Sequence, residues 1–166
     1  MFELKPLSPE AVPRAVAKAE RYRLLNEPGE AQSICLDVLA ADPDNQEAVA
    51  TLILALTDQF GETPSLVNEA LATAARLRDS YERAYYTGIV HERRAKALLA
   101  HGTRRSGPSV YEWLRMAMTR FEEADDIRPA NNDDARLRWN ACARLIASNR
   151  HLVPAADEPR EPLLSE

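Results

Sequence analysis

The sequence predicts an all-α fold of antiparallel helix pairs stacked in an array, and three observations carry that prediction. Ala and Leu are abundant, only 5 of the 166 residues are glycine, and β-branched residues are sparse, a composition that favours helix over sheet. Apolar residues recur at spacings of three and four between short runs of turn-forming residues, and no stretch alternates with period two for long enough to make a strand. Finally, AQSICLDVLAADP at 31–43 and AMTRFEEADDIRP at 117–129 share one skeleton: Ala first, an apolar residue at the fifth and eighth places, Pro last. A skeleton recurring on alternate helices is the mark of repeated helix pairs.

Turn chemistry sets the elements in order. A first helix near 9–26 runs into Asn26-Glu-Pro-Gly29, and a second near 29–41 stops at Asp42-Pro-Asp-Asn45. The third, near 45–60, carries Val49, Leu52, Ile53 and Leu56 on one face before Gly61-Glu-Thr-Pro64. The fourth lies near 64–78, and the fifth, near 81–101, bears the stripe Ala84, Gly88, His91, Ala95 and Leu98. After the Gly102–Pro108 loop a sixth helix near 109–127 ends at Arg128-Pro129. The seventh, near 131–149, has Ala135, Trp139, Cys142, Ala143 and Ile146 in register. Short loops make neighbours antiparallel.

In the shared skeleton, Ala117, Phe121, Ala124 and Pro129 occupy the small, aromatic, small and closing-proline places. Ala31, Cys35, Val38 and Pro43 do the same with two softer substitutions. Ala19, twelve residues before Ala31, and Tyr22 supply a small and an aromatic position on the preceding helix; Ile53 and Gly88 take the small residue's place further on, and Ala70, Ala74 and Leu77 follow in the second pair. This pattern resembles the tetratricopeptide repeat. The resemblance implies a right-handed superhelix of about three repeats plus a C-terminal capping helix over 131–149. It covers 9–149, with an extended Phe60–Ser65 loop, no closing proline in the second repeat, and a lengthened first helix and inserted 102–109 loop in the third.

Residues 1–149 read as one domain, and 150–166, with three prolines and no amphipathic period, as a disordered acidic tail. The net charge of −5 is uneven: −7 over 1–82, +5 over 83–150 and −3 over 151–166. The overall sign argues against a dedicated nucleic-acid binder. The N-terminus has no secretory pattern, no apolar run approaches a membrane span, and the widely separated Cys35 and Cys142 suit a reducing compartment, so a cytoplasmic protein with free, buried thiols is expected.

Chemical signals are weak. His91-Glu92 opens like a zinc-binding HExxH, but the run is HERRA and lacks the second His; on its stripe His91 reads as a packed histidine. Phosphate-loop, dinucleotide and nucleophile-elbow motifs are missing from the sequence, so no enzyme, metal or cofactor is expected. Asp133-Asp134 reads as N-capping of the last helix, and Trp113 and Trp139 read as core. Tyr81 and Tyr85 read as packing between repeats, with Tyr85 or Tyr86 as the alternative ligand anchor.

The resemblance implies that the first helix of each pair lines a concave groove that binds a peptide or helix of another protein. In its register the lining is Val16, Glu20, Arg23 and Leu24, then Glu47, Thr51, Leu54 and Asp58, then Tyr85, Ile89 and Glu92. The family's carboxylate clamp is not expected, because Val16 and Glu20 stand where its Lys and Asn would be. These letters describe a mixed, somewhat acidic groove suited to a basic or apolar segment. The alternative function is an adaptor for nucleic acid or another polyanion, using the basic patch Arg93, Arg94, Lys96, Arg104 and Arg105.

Overall fold

A computed structural model describes residues 2–155. Seven α-helices follow in chain order: α1 (Val12–Leu24), α2 (Pro28–Ala41), α3 (Gln46–Thr57), α4 (Leu66–Ala74), α5 (Ser80–His101), α6 (Gly107–Asp126) and α7 (Asp134–Ser148). Single 3-10 turns at Pro9–Ala11 and Arg104–Ser106 precede α1 and α6. The described residues contain no strand, and no helix among them is long and apolar enough to cross a membrane.

Local chemistry sets the boundaries. The Asn45 side chain accepts a hydrogen bond from the Ala48 N–H at 2.9 Å, and the Asp79 carboxylate accepts one from the Glu82 N–H at 2.8 Å, capping α3 and α5. Asn26 and Asn131 take left-handed conformations (φ 60° and 63°) in the turns after α1 and α6, a geometry asparagine tolerates better than most residues. Helix α4 stops at Ala74, short of the expected 78. There the chain passes into tighter turns, the Arg76 N–H donating to the Thr73 carbonyl and the Leu77 N–H to the Ala74 carbonyl. Arg83 Nη1 donates to the Leu77 and Arg78 carbonyls, both at 2.7 Å, bracing the turn into the α5 cap. Asp133 makes no capping hydrogen bond at α7, against expectation. Its carboxylate faces Arg128 Nε at 3.2 Å instead, and the Asn132 side chain accepts from the Asp134 N–H at 3.0 Å.

Each helix packs on the next in sequence, and α3 also touches both α1 and α5. The core has two apolar clusters. Val16, Ala19, Ala31, Cys35, Ile53 and Leu56 belong to the one formed by α1–α4; Ile89, Leu114, Ala117, Phe121 and Cys142 belong to the one formed by α5–α7. Tyr86 and Trp113 pack against both and join them. The matched Ala31 and Ala117 are fully buried, as close helix approach requires. Both cysteines are buried free thiols, and burial pushes each up to about 12.

The chain does not leave the fold at 149. Leu152 is buried in the second cluster and its N–H donates to the Asn149 carbonyl at 3.0 Å. The His151 carbonyl lies so close to Gly107 that a Cβ there would come within 2.3 Å of it, so α6 starts on a residue with no side chain. Residues 156–166, the rest of the expected tail, lie outside the described residues.

Histidine 91 is packed, as its stripe indicated, 5.5 Å from the Trp113 ring, with its Nδ1 buried and unpartnered. Burial holds its pKa below the ordinary 6.5; Arg120 adds to this, while hydrogen bonding with the Met116 backbone opposes it. Because the folded value is depressed, the unfolded chain binds this proton first. The stability contributed by neutral His91 is complete above about pH 6.5 and falls as pH drops through the window below. Urea unfolding from pH 7.5 to 5 should show wild type losing stability relative to His91→Gln below about pH 6.5. Parallel curves for the two proteins would contradict the burial argument.

Candidate functional site

The odd-numbered helices meet in a polar cleft. Arg23 stands in the last turn of α1, Asp58 caps the C-terminus of α3, and Arg93 projects from the second half of α5. Arg23 Nε donates to Asp58 Oδ2 at 2.7 Å, and Arg93 Nη1 donates to Oδ1 of the same carboxylate at 2.7 Å. One acid on the middle helix thus ties together the helices on either side. The side chains are 18–30% exposed, so these charge-assisted bonds are shielded from water but not sealed from it.

A second acid lies deeper. Glu92 is 0% exposed, and its carboxylate receives the Lys96 ammonium from one turn along α5 and Arg138 Nη1 from α7 at 3.3 Å. Burial works against the charge on Arg138, but Glu92 and the Tyr85 hydroxyl outweigh it and raise the guanidinium pKa. Tyr85 in turn stacks on Tyr81 at 5.7 Å between centroids and meets Tyr86 edge-on at 5.4 Å and Phe121 at 6.0 Å.

Above these pairs lies an open cleft of about 560 Å³, with Arg23, Asn26, Asp58, Arg93, Lys96, His101 and Arg138 on its walls. Four permanent cations surround two carboxylates, so this cleft carries a net positive charge. Asn26, His101 and Arg138 lie outside both the expected lining and the basic patch. Arg138 sits on a helix read as a solvating cap, and no pattern in its own segment marks it.

The expected lining divides in three. Arg23, Asp58 and Glu92 are brought together with Arg93 and Lys96 of the basic patch. Val16, Thr51 and Ile89 are buried and offer no surface for a ligand, because side-by-side packing of α1, α3 and α5 consumes those faces; Glu92 is also buried, under Lys96 and Arg138. Glu20, Leu24 and Glu47 are exposed, while Leu54 and Tyr85 are half-buried against the second core cluster. Of the remaining patch, Arg94 is half-buried and Arg105 exposed, whereas the side chain of Arg104 lies outside the described residues. Trp113 and Trp139 are partly rather than fully buried; Trp139 Nε1 donates to Glu122 Oε1 at 2.8 Å. No three His, Cys, Asp or Glu side chains converge as metal ligands among the described residues.

No protein-family model, curated protein or solved structure matches the chain.

Proposed function

We propose that the chain is a tetratricopeptide-like array of helix pairs, a right-handed superhelix capped by α7, that binds a peptide or helix of another protein on the face shared by its odd-numbered helices. It performs no chemistry of its own in this reading. Its buried free thiols fit a reducing compartment such as the cytoplasm.

The observation that supports this best is a period. Arg23, Asp58 and Arg93 are separated by 35 residues at each step and touch in one row across α1, α3 and α5. Equivalent positions on successive first helices should recur at about 34 residues in a repeat of this type. The buried small or apolar residues Ala19, Ile53 and Gly88 repeat at nearly the same interval. The polyanion adaptor is the weaker reading, because its basic patch is dispersed: Arg93 and Lys96 stand beside Asp58 and Glu92, Arg94 is half-buried, and Arg105 lies on the separate turn before α6.

Selection of a random-peptide display library against the whole chain tests the groove. Peptides that bind should lose affinity by about thirtyfold or more in Leu54→Ala/Tyr85→Ala, about 2 kcal/mol for truncated anchors. They should be unaffected by Arg104→Ala/Arg105→Ala, and circular dichroism should show both variants folded. Loss in the loop pair with retention in the groove pair would replace the groove reading by the polyanion one.

A further inference from the structure

The ion pairs in the cleft are not balanced. Asp58 is met by two guanidinium groups and Glu92 by an ammonium and a guanidinium, so each carboxylate has one cation more than its charge requires. Like charges held this close repel, and a further anion in the cleft would relieve that repulsion. The surplus is also presented to solvent. Asp58 is 18% exposed and Glu92 is sealed, whereas Lys96, Arg138 and Arg93 keep 45%, 34% and 30% of their side-chain surfaces open. Glu92 thus lies beneath its two cations, while around Asp58 only Arg93 is clearly more open and Arg23, at 20%, is as shielded as the carboxylate.

We infer that this cleft is a binding site for carboxylate groups of an acidic peptide segment, held by Arg23, Arg93, Lys96 and Arg138. The inference rests on the groove reading above and gives its partner a chemistry. The two acids set the four cationic heads in place before a ligand arrives, so less rotamer freedom is lost on binding. The planar guanidinium groups retain N–H donors beyond those used on Asp58 and Glu92, and a guanidinium fork suits a carboxylate.

A nucleic acid fits less well. The cleft wall carries no Phe, Tyr or Trp on which a base could stack, its ring being the smaller imidazole of His101. Peptide carboxylates, spaced along a flexible chain, need no stacking platform to reach the cations.

The test uses the full chain and a fluorescein-labelled dodecapeptide of alternating Glu and Ser, followed by anisotropy. A Gln-Ser peptide of equal length and a labelled dodecauridylate serve as comparisons. The variant is Arg93→Gln/Lys96→Gln, which leaves Asp58 with Arg23 and Glu92 with Arg138, so both acids stay paired and the fold is kept. The Glu-Ser peptide should bind wild type, lose about tenfold or more in the variant as charge-assisted bonds are removed, and weaken with added salt. The inference is overturned if Glu-Ser binds no better than Gln-Ser, if the variant binds it equally well, or if the oligonucleotide binds more tightly. Library peptides that need Leu54 and Tyr85 yet carry no acid and ignore the variant would also overturn it, leaving the groove reading intact. If no groove-dependent peptide exists, the groove reading falls while the Glu-Ser titration still judges the cleft.

Discussion

Replacing Lys96 and Arg138 together by Met should cost about 3–5 kcal/mol of stability, because the double change strands Glu92 as an unpaired charge in the interior. The methionines keep most of the aliphatic stems, so lost packing is a small part of the effect. Each single change should cost far less, on the order of 1 kcal/mol, because the other cation still faces the carboxylate and both cations are over a third open to water. The signature is therefore non-additivity: the double should exceed the sum of the singles by more than about 1 kcal/mol in urea unfolding. Adding Glu92→Gln to the double variant should restore part of the loss, since an uncharged amide is far less costly to bury than a lone carboxylate. Strict additivity would mean that Glu92 is not held as an ion between those two groups. For a domain whose whole stability is typically 5–15 kcal/mol, the double change is among the most damaging substitutions available outside the apolar core.

The same residues show what the sequence made legible and what it did not. All seven helices are readable from turn residues and apolar spacing because those signals are local: Asn45 and Asp79 cap the helices that follow them whatever the rest of the chain does. The end of α4 is not readable, because the tighter turns after it lead into a segment that Arg83 braces from the next helix. Arg23, Asp58 and Arg93 are each identifiable, but under separate headings: two positions of the groove lining and one of the basic patch. Nothing local says that they touch, since each contact spans 35 residues. Spacing alone hints at it only if one compares charged positions, rather than apolar ones, 35 residues apart. Charge counting cannot separate these positions, for a related reason. Glu20, Glu47, Asp58 and Glu92 look equivalent as letters, but the structure buries Glu92 under two cations and leaves Glu20 and Glu47 in water away from the cleft wall. Val16, Thr51 and Ile89 were placed on the groove by register, which fixes the helix face to within about a quarter turn; the packing of neighbouring first helices decides which part of that face remains open.

Truncating Phe121 to Ala should also cost about 3–5 kcal/mol, and its coupling to Gly88 tests how closely α5 and α6 approach. Phe121 is the aromatic residue of the repeated skeleton, 0% exposed, and its ring lies directly over Gly88. A Cβ built on Gly88 would come within 2.5 Å of the ring, closer than any real contact of that kind. Nor is the ring free to retreat, since Tyr85 stands against it with centroids 6.0 Å apart. Two effects then compete in Gly88→Ala. Alanine gains about 1 kcal/mol in helix propensity, but overpacking of a tight contact costs about 1–3 kcal/mol, and the second should win. Gly88→Val adds a branched side chain to the same clash and should be worse. The combination Gly88→Ala with Phe121→Leu gives the new methyl the space it needs, so the pair should cost about 1 kcal/mol less than the two single changes added together. Calorimetric or urea melts of the four proteins complete the cycle. If Gly88→Ala instead stabilises the chain by its full helix propensity, the ring has room to move. The close α5–α6 contact would then not be what requires a glycine at position 88.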